Sequence, residues 1–217
     1  MLDAARAAEA ALEHSPELRG QVTVTTVGEL LRWVLVRRLS EFYAAHPQLR
    51  PRVLADNHTT SLAAGDAEVA LRFARPERGE LVGQRLRSKQ YAYFAAAGLA
   101  LDPEVAWLGL TGSLARIPEQ QHAGRAFAGR PPRLLVEDLE SLGLAVEAGL
   151  GAALLPRSLV ARLRGVVEVR PQQIGVKLPG PIAARDIWIV MHRARPHVPR
   201  VRAVVAWLVE VMGRDAP

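Results

Sequence analysis

The chain contains no cysteine, which excludes disulfides, thiolate nucleophiles and Cys-ligated metals. Lysine is almost missing too: Lys89 and Lys177 are the only ones among 28 basic residues. Aromatic residues make up 5%, and no aromatic platform or zinc-finger spacing of a nucleic-acid-binding module occurs. No apolar run approaches the ~18 residues of a membrane span. The N-terminal stretch "MLDAARAAEAALEH" carries acidic residues and lacks a long apolar core, so it does not read as a signal peptide. These absences lead us to expect a cytoplasmic protein without membrane contact.

What is present suits a globular chain. At 217 residues and 49% hydrophobic content, one domain or two small lobes with a real core is expected. The formal charge of +6 permits acidic or nucleic-acid partners. The arginines are scattered, however, except in "HRARPHVPRVR" (His192 to Arg202). That stretch reads as a solvated basic loop and helix start ahead of a nucleic-acid patch.

Along the chain, residues 1–15 read as an alanine-rich helix, marginal when isolated. "QVTVTTV" is a strand rich in β-branched residues. The helix "TVGELLRWVLVRRLSEFYAAHP" follows, with Thr26 and Glu29 fitting a capping box. Its apolar side carries Leu30, Leu31, Val34, Leu35, Leu39 and Phe42. "RPRVLA" is a second strand, "NHTTSLAAG" a short helix between Asn57 and Gly65, and "AEVALRF" a third strand. Strand, helix, strand, helix, strand marks a parallel α/β layer. Two extended stretches flank Ser88. Past Gly98 the alternation restarts, with "VAWLGLTG", "RLLVED" and "AALLP" as strands among helices. After a Pro/Gly-rich stretch come the strand "RDIWIVMHR" and a helix carrying Val201, Val204, Val205, Leu208 and Met212. Two α/β lobes follow, the second inserted in the first, with chain crossings near 88–97 and 170–186. A cleft between lobes is where a small ligand is expected.

"VEAGLGAALLP" (Val146 to Pro156) tests whether this chain cradles a phosphate. In a dinucleotide fingerprint a strand enters the glycine loop and a helix leaves it. Here a helix ends at Gly149 and a strand begins near Ala152, so the turn faces a helix C-terminus, whose partial negative charge repels phosphate. Gly149 is expected as a left-handed helix cap, with Gly151 easing the turn into a buried strand.

Catalytic constellations are equally thin. "TGSLA" lacks the second glycine of a nucleophile elbow around Ser113. The six histidines include no His-Glu-x-x-His and no pair at helical ligand spacing. Glu137 and Asp138 are an acid/base pair in form, but Asp138 reads more simply as a helix N-cap, with Glu140 in the first turn. We therefore expect no enzyme activity, no metal and no cofactor. What remains is a set of polar helix starts at strand ends: Thr25 and Thr26, then Thr111, Gly112 and Ser113, then Asp138 and Ser141. Backbone N–H groups at such ends bind carboxylate or phosphate oxygens. Glu29 would compete with an anionic ligand. Arg72, closing "EVALRF", either offsets that charge or grips a carboxylate, or is an ordinary surface arginine.

Four phrases carry a resemblance: "LRGQVTV", "LSEFYAAHPQLRPRV", "SLAAGDAEVALRFARPERGELVGQRL" and, most specific, "LAVEAGLGAALLPRSLV". With them the chain resembles the effector-binding domain of LysR-type transcriptional regulators. The resemblance implies an α/β fold of two Rossmann-like lobes, like type 2 periplasmic binding proteins, with effector in the interlobe cleft. It implies residues 1–17 as the end of a linker helix, 18–95 plus 183–217 as lobe I, and 96–182 as lobe II. Effector contacts would fall on Thr25, Thr26, Gly28 and Glu29, on Arg72 and Phe73, on Thr111, Gly112 and Ser113, and on Asp138. Glu68 stands where the family usually has aspartate, and "LLRWVLV" where a leucine-proline is frequent. These departures leave a neutral or cationic effector, or none, open beside the usual small carboxylate. The implied partners are a small-molecule effector and DNA, the latter through an N-terminal winged helix-turn-helix not contained here. A second copy of the chain is also implied, in a homodimer or homotetramer, and Trp33, Val36 and Tyr43 on the first helix suit such a contact. The alternative is a stand-alone solute-binding protein of the same fold.

Overall fold

The computed structural model describes residues 18–55, 66–73, 75 and 80–214. The helices expected over 1–15 and between Asn57 and Gly65 lie outside these. The chain divides into two compact units: 1–87 with 186–216, and 88–185.

Unit 1 is built on the five-stranded sheet β2-β1-β3-β10-β4, of β1 (Gly20–Thr26), β2 (Leu49–Ala55), β3 (Val69–Arg72), β4 (Leu81–Lys89) and β10 (Arg185–His192). β1 runs parallel to both β2 and β3, and β10 returns antiparallel to β3. The Val/Thr alternation of β1 sets its two faces. Val22 and Val24 enter the unit's core with Val69, Leu71, Ile187 and Ile189. Thr23 and Thr25 point the other way and are also buried.

The first helix, α1, begins with one α turn (Gly28–Leu30), widens into a π segment (Leu31–Leu35) and resumes as α over Val36–Ala45. It still puts Leu30, Val34, Leu35 and Phe42 into the core, with Leu31 and Leu39 half-buried against it. The last helix (Pro199–Arg214) completes this core with Val201, Val204, Leu208 and Met212; Trp207 and Val211 join them.

Unit 2 holds two smaller sheets. β5 (Tyr91–Ala96) lies between β8 (Ala153–Pro156) and β9 (Val166–Glu168), antiparallel to both. β6 (Leu108–Leu110) and β7 (Leu134–Val136) pair in parallel. This pairing puts β5 in unit 2, whereas the sequence reading assigned residues up to 95 to the first lobe. An extended run shows only that a strand exists; its partners decide the unit. Both faces of β5 are buried: Tyr93 and Ala95 in one cluster, Ala92 and Phe94 in another. Helices α2 (Pro118–Ala126), α3 (Leu139–Glu147) and the single turn α4 (Arg157–Val160) complete the unit.

The glycine pair is explained by backbone alone. Gly149 takes φ +74° beyond α3; its N–H donates to Val146 O, and Leu150 N–H donates to Ala145 O. That is the paired bonding of a Schellman cap. Gly151 has a different role from the one expected. It makes no left-handed turn, but a Cβ there would lie 2.4 Å from Ala106 O. The strand leading into β8 needs that closeness, because Ala152 N–H donates to Ala106 O at 2.9 Å.

Candidate functional site

The strand-end groups fall into two clusters, one in each unit. In unit 1, β1 and β3 are parallel neighbours with Thr25 opposite Ala70. Both strands therefore end on one edge of the sheet, where Arg72 Nη2 donates to Thr25 Oγ1 at 2.6 Å and Nη1 reaches Leu71 O at 3.5 Å. Thr25 and Thr26 have no exposed surface. The accessible members of the cluster are Gly28, Glu29, Arg72 and Phe73, all half-buried. A Cβ on Gly28 would lie 3.2 Å from the Arg32 guanidinium, so this first turn already has a cation beside it.

The capping box expected at Thr26 does not form. Thr26 is still strand, paired with Ala55, and the N-cap is Val27, extended and without a side-chain cap bond. The helix begins one residue later than the box requires, with Leu31 N–H donating to Val27 O at 3.2 Å. Thr26 Oγ1 is buried with no hydrogen-bond partner.

Glu68, at the position where aspartate is usual, has structural work. Its carboxylate accepts from Thr23 N–H at 2.9 Å and pairs with Arg200 at 3.3 Å and Arg195 at 3.7 Å. Two arginines from the chain's far end neutralise it. Nothing local in the sequence announces that pairing.

In unit 2, the parallel pair β6 and β7 brings Thr111–Ser113 beside Glu137 and Asp138, tied by Thr111 N–H donating to Val136 O at 2.8 Å. Gly112 sits at φ +59°, and a Cβ there would meet Glu137 Oε1 at 3.2 Å. Thr111 precedes a 3-10 turn (Gly112–Arg116) without giving it a side-chain cap. Asp138 is the N-cap of α3 as expected: Oδ1 accepts from Ser141 N–H at 2.8 Å and Oδ2 from Ser141 Oγ at 2.6 Å. This edge carries the carboxylates of Glu137 and Asp138, whereas the unit 1 edge carries Arg72, with Glu29 and Arg32 at the start of α1.

Among the described residues no helix is long and apolar enough to cross a membrane, and no group of three His, Asp or Glu side chains is placed to hold a metal ion.

Comparison with known proteins identifies the family and the fold. The model of the LysR substrate binding domain matches residues 15–213. The Mau operon transcriptional activator of Paracoccus denitrificans is 26% identical over 214 residues, which cover 97% of this chain and 72% of the activator. Among solved structures, CrgA, a LysR-type transcriptional regulator from Neisseria meningitidis, superposes with a TM-score of 0.76 at 16% identity, covering 98% of this chain and 75% of CrgA. The effector domain of the transcriptional regulator AmpR of Pseudomonas aeruginosa gives 0.64 at 21% identity, over 89% of this chain and 96% of AmpR's domain. At these identities the structures show the fold, the α/β architecture of type 2 periplasmic binding proteins, and the family model spans nearly the whole chain. The chain belongs to the LysR substrate-binding domain family, the ligand-sensing regulatory domain of LysR-type transcriptional regulators.

Proposed function

We propose that this domain senses a small-molecule effector through the strand-end groups of its two units and passes the bound state to DNA-binding domains elsewhere in a cytoplasmic regulator, without catalysis. The observation that carries the reading is the Arg72–Thr25 bond beside an uncapped helix start. The guanidinium fixed on Thr25 places a positive charge at this strand edge, suited to a ligand carboxylate, and the first turn of α1 adds backbone N–H groups. Gly28, Glu29 and Phe73 border that donor set, and Thr26 lies beneath it. In unit 2, Thr111 and Ser113 supply hydroxyl groups and Gly112 an amide, with Asp138 capping the helix beside them. The unit 1 cluster suits the anionic end of a ligand, and the unit 2 cluster suits a hydroxyl or amine.

The test is a thermal-shift screen of small metabolites on the purified chain, because a ligand that binds the folded state raises Tm by mass action. For a hit, Arg72→Ala should abolish the shift, and Thr25→Val, which frees the guanidinium from its anchor, should reduce it. A hit whose shift is unchanged in both variants rules out this assignment.

The exposed side of α1 supports self-association of the same domain. Val36 is 53% and Tyr43 44% exposed, and Arg37 lies 5.3 Å over the ring of Trp33. We place a contact between two copies there. Tyr43→Glu should shift a dimer to monomer in sedimentation; an unchanged sedimentation coefficient removes α1 from the contact.

A further inference from the structure

Unit 2 holds a cavity of about 250 Å³ that shares no residue with the strand-end groups. One wall is α2, which presents Pro118, His122 and Arg125 at i, i+4 and i+7, on a single helix face. The other wall is the segment 181–185, with Ile182 and Arg185, just before the chain leaves the unit. The charges on these walls do not cancel. Glu119 is buried and lies 3.3–3.4 Å from Arg185 Nη1 through both oxygens, so one carboxylate is offset by one guanidinium. Arg125 is a second cation, exposed, and no ion pair engages it among the described residues.

His122 adds a second, independent signal. Its side chain is 8% exposed, and Nε2 is buried without a hydrogen-bond partner. Burial, and then the neighbouring Arg125, holds its pKa below the ordinary histidine value, so the ring is neutral near pH 7. A buried polar atom left unpaired costs stability and persists most readily where something else completes it. The rest of the lining, Pro118 and Ile182 among it, is apolar.

We propose that this cavity is a second ligand site, taking a small monoanion with a short apolar body. Its carboxylate sits on Arg125, and its apolar part lies against Pro118 and Ile182. The volume lies below the about 300–1,000 Å³ of drug-sized pockets, which restricts the occupant to the size of a simple aromatic or branched aliphatic monocarboxylate. The two sites stand or fall separately, since Arg72 belongs to one and Arg125 to the other.

Benzoate is the probe, with benzamide as its uncharged counterpart, titrated into the full chain and followed by the His122 imidazole resonances in NMR. Saturable shifts of His122 are expected, weakened by about tenfold or more in Arg125→Gln and retained in Arg72→Ala. Arg125 is exposed, so its replacement leaves the fold intact. Three results would each overturn the site. One is the absence of saturable His122 shifts. Another is benzamide binding as tightly as benzoate. The last is binding lost in Arg72→Ala and kept in Arg125→Gln, which would place the probe at the strand-end groups instead.

Discussion

Two helices start at strand ends, one in each unit, and they start in opposite ways. α3 opens on Asp138, whose two oxygens are both taken by Ser141. α1 opens on Val27, with no side-chain acceptor at all, while the hydroxyl of Thr26 stands one residue too early and finds no partner. Each helix carries a glutamate in its first turn, Glu29 or Glu140, so first-turn charge does not distinguish them. The placement of one polar residue does. A self-capped start spends its acceptor on its own N–H groups and gains stability. An uncapped start leaves those groups to water or to a ligand. With Arg72 bonded to Thr25 beside it, the α1 start is the one that the proposed function assigns to an anion, and the α3 start is the one that holds itself together.

The largest effect expected from this contrast is on stability at α3. Asp138→Ala removes the acceptor of Ser141 N–H and the partner of its hydroxyl, and should cost about 1–2 kcal/mol. For a chain of this size that lowers Tm by roughly 2–8 °C. Asp138→Asn, which keeps one acceptor, should recover most of the loss. A drop no larger than that of a surface substitution would show that α3 does not depend on its cap, and the contrast would fail.

Arg72→Gln should come next, at about 1 kcal/mol, because it deletes the charge-assisted bond to Thr25. Its effect on ligand response should be much the larger of the two, with the response lost outright. A variant that loses stability but keeps full ligand response would make Arg72 a structural anchor and nothing more.

Much of this contrast was legible in the sequence, and the part that was not has physical causes. Alternating Val and Thr in β1, and the spacing of Val201, Val204, Leu208 and Met212, gave strand and helix directly, because periodicity records which face is buried. Asp138 was readable as a cap because its bonding is local. Thr26 misled because a capping box is a spacing, and strand pairing with Ala55 carried the extended backbone one residue further than the spacing assumes. The Arg72–Thr25 bond spans 47 residues and the Glu68–Arg200 pair 132; both depend on sheet register, which a pattern of elements does not contain. Gly151 was legible as special but not for the right reason, since the approach of Ala106 is a tertiary fact.

The smallest stability effect is the most discriminating. Thr26→Val replaces a buried, unpartnered hydroxyl by a methyl of similar shape, so nothing is lost and a desolvated polar group is removed. Valine also keeps the β-branching suited to the end of β1. Stability should stay level or rise by up to about 1 kcal/mol, the opposite sign from Asp138→Ala, although both substitutions remove the polar residue at a strand end before a helix. Chemical denaturation of the two variants side by side, compared through their midpoints at unchanged m, reads the difference in sign directly. If Thr26→Val fell as far as Asp138→Ala, the Thr26 hydroxyl would be a working cap, and the α1 start would have no groups to spare for a ligand.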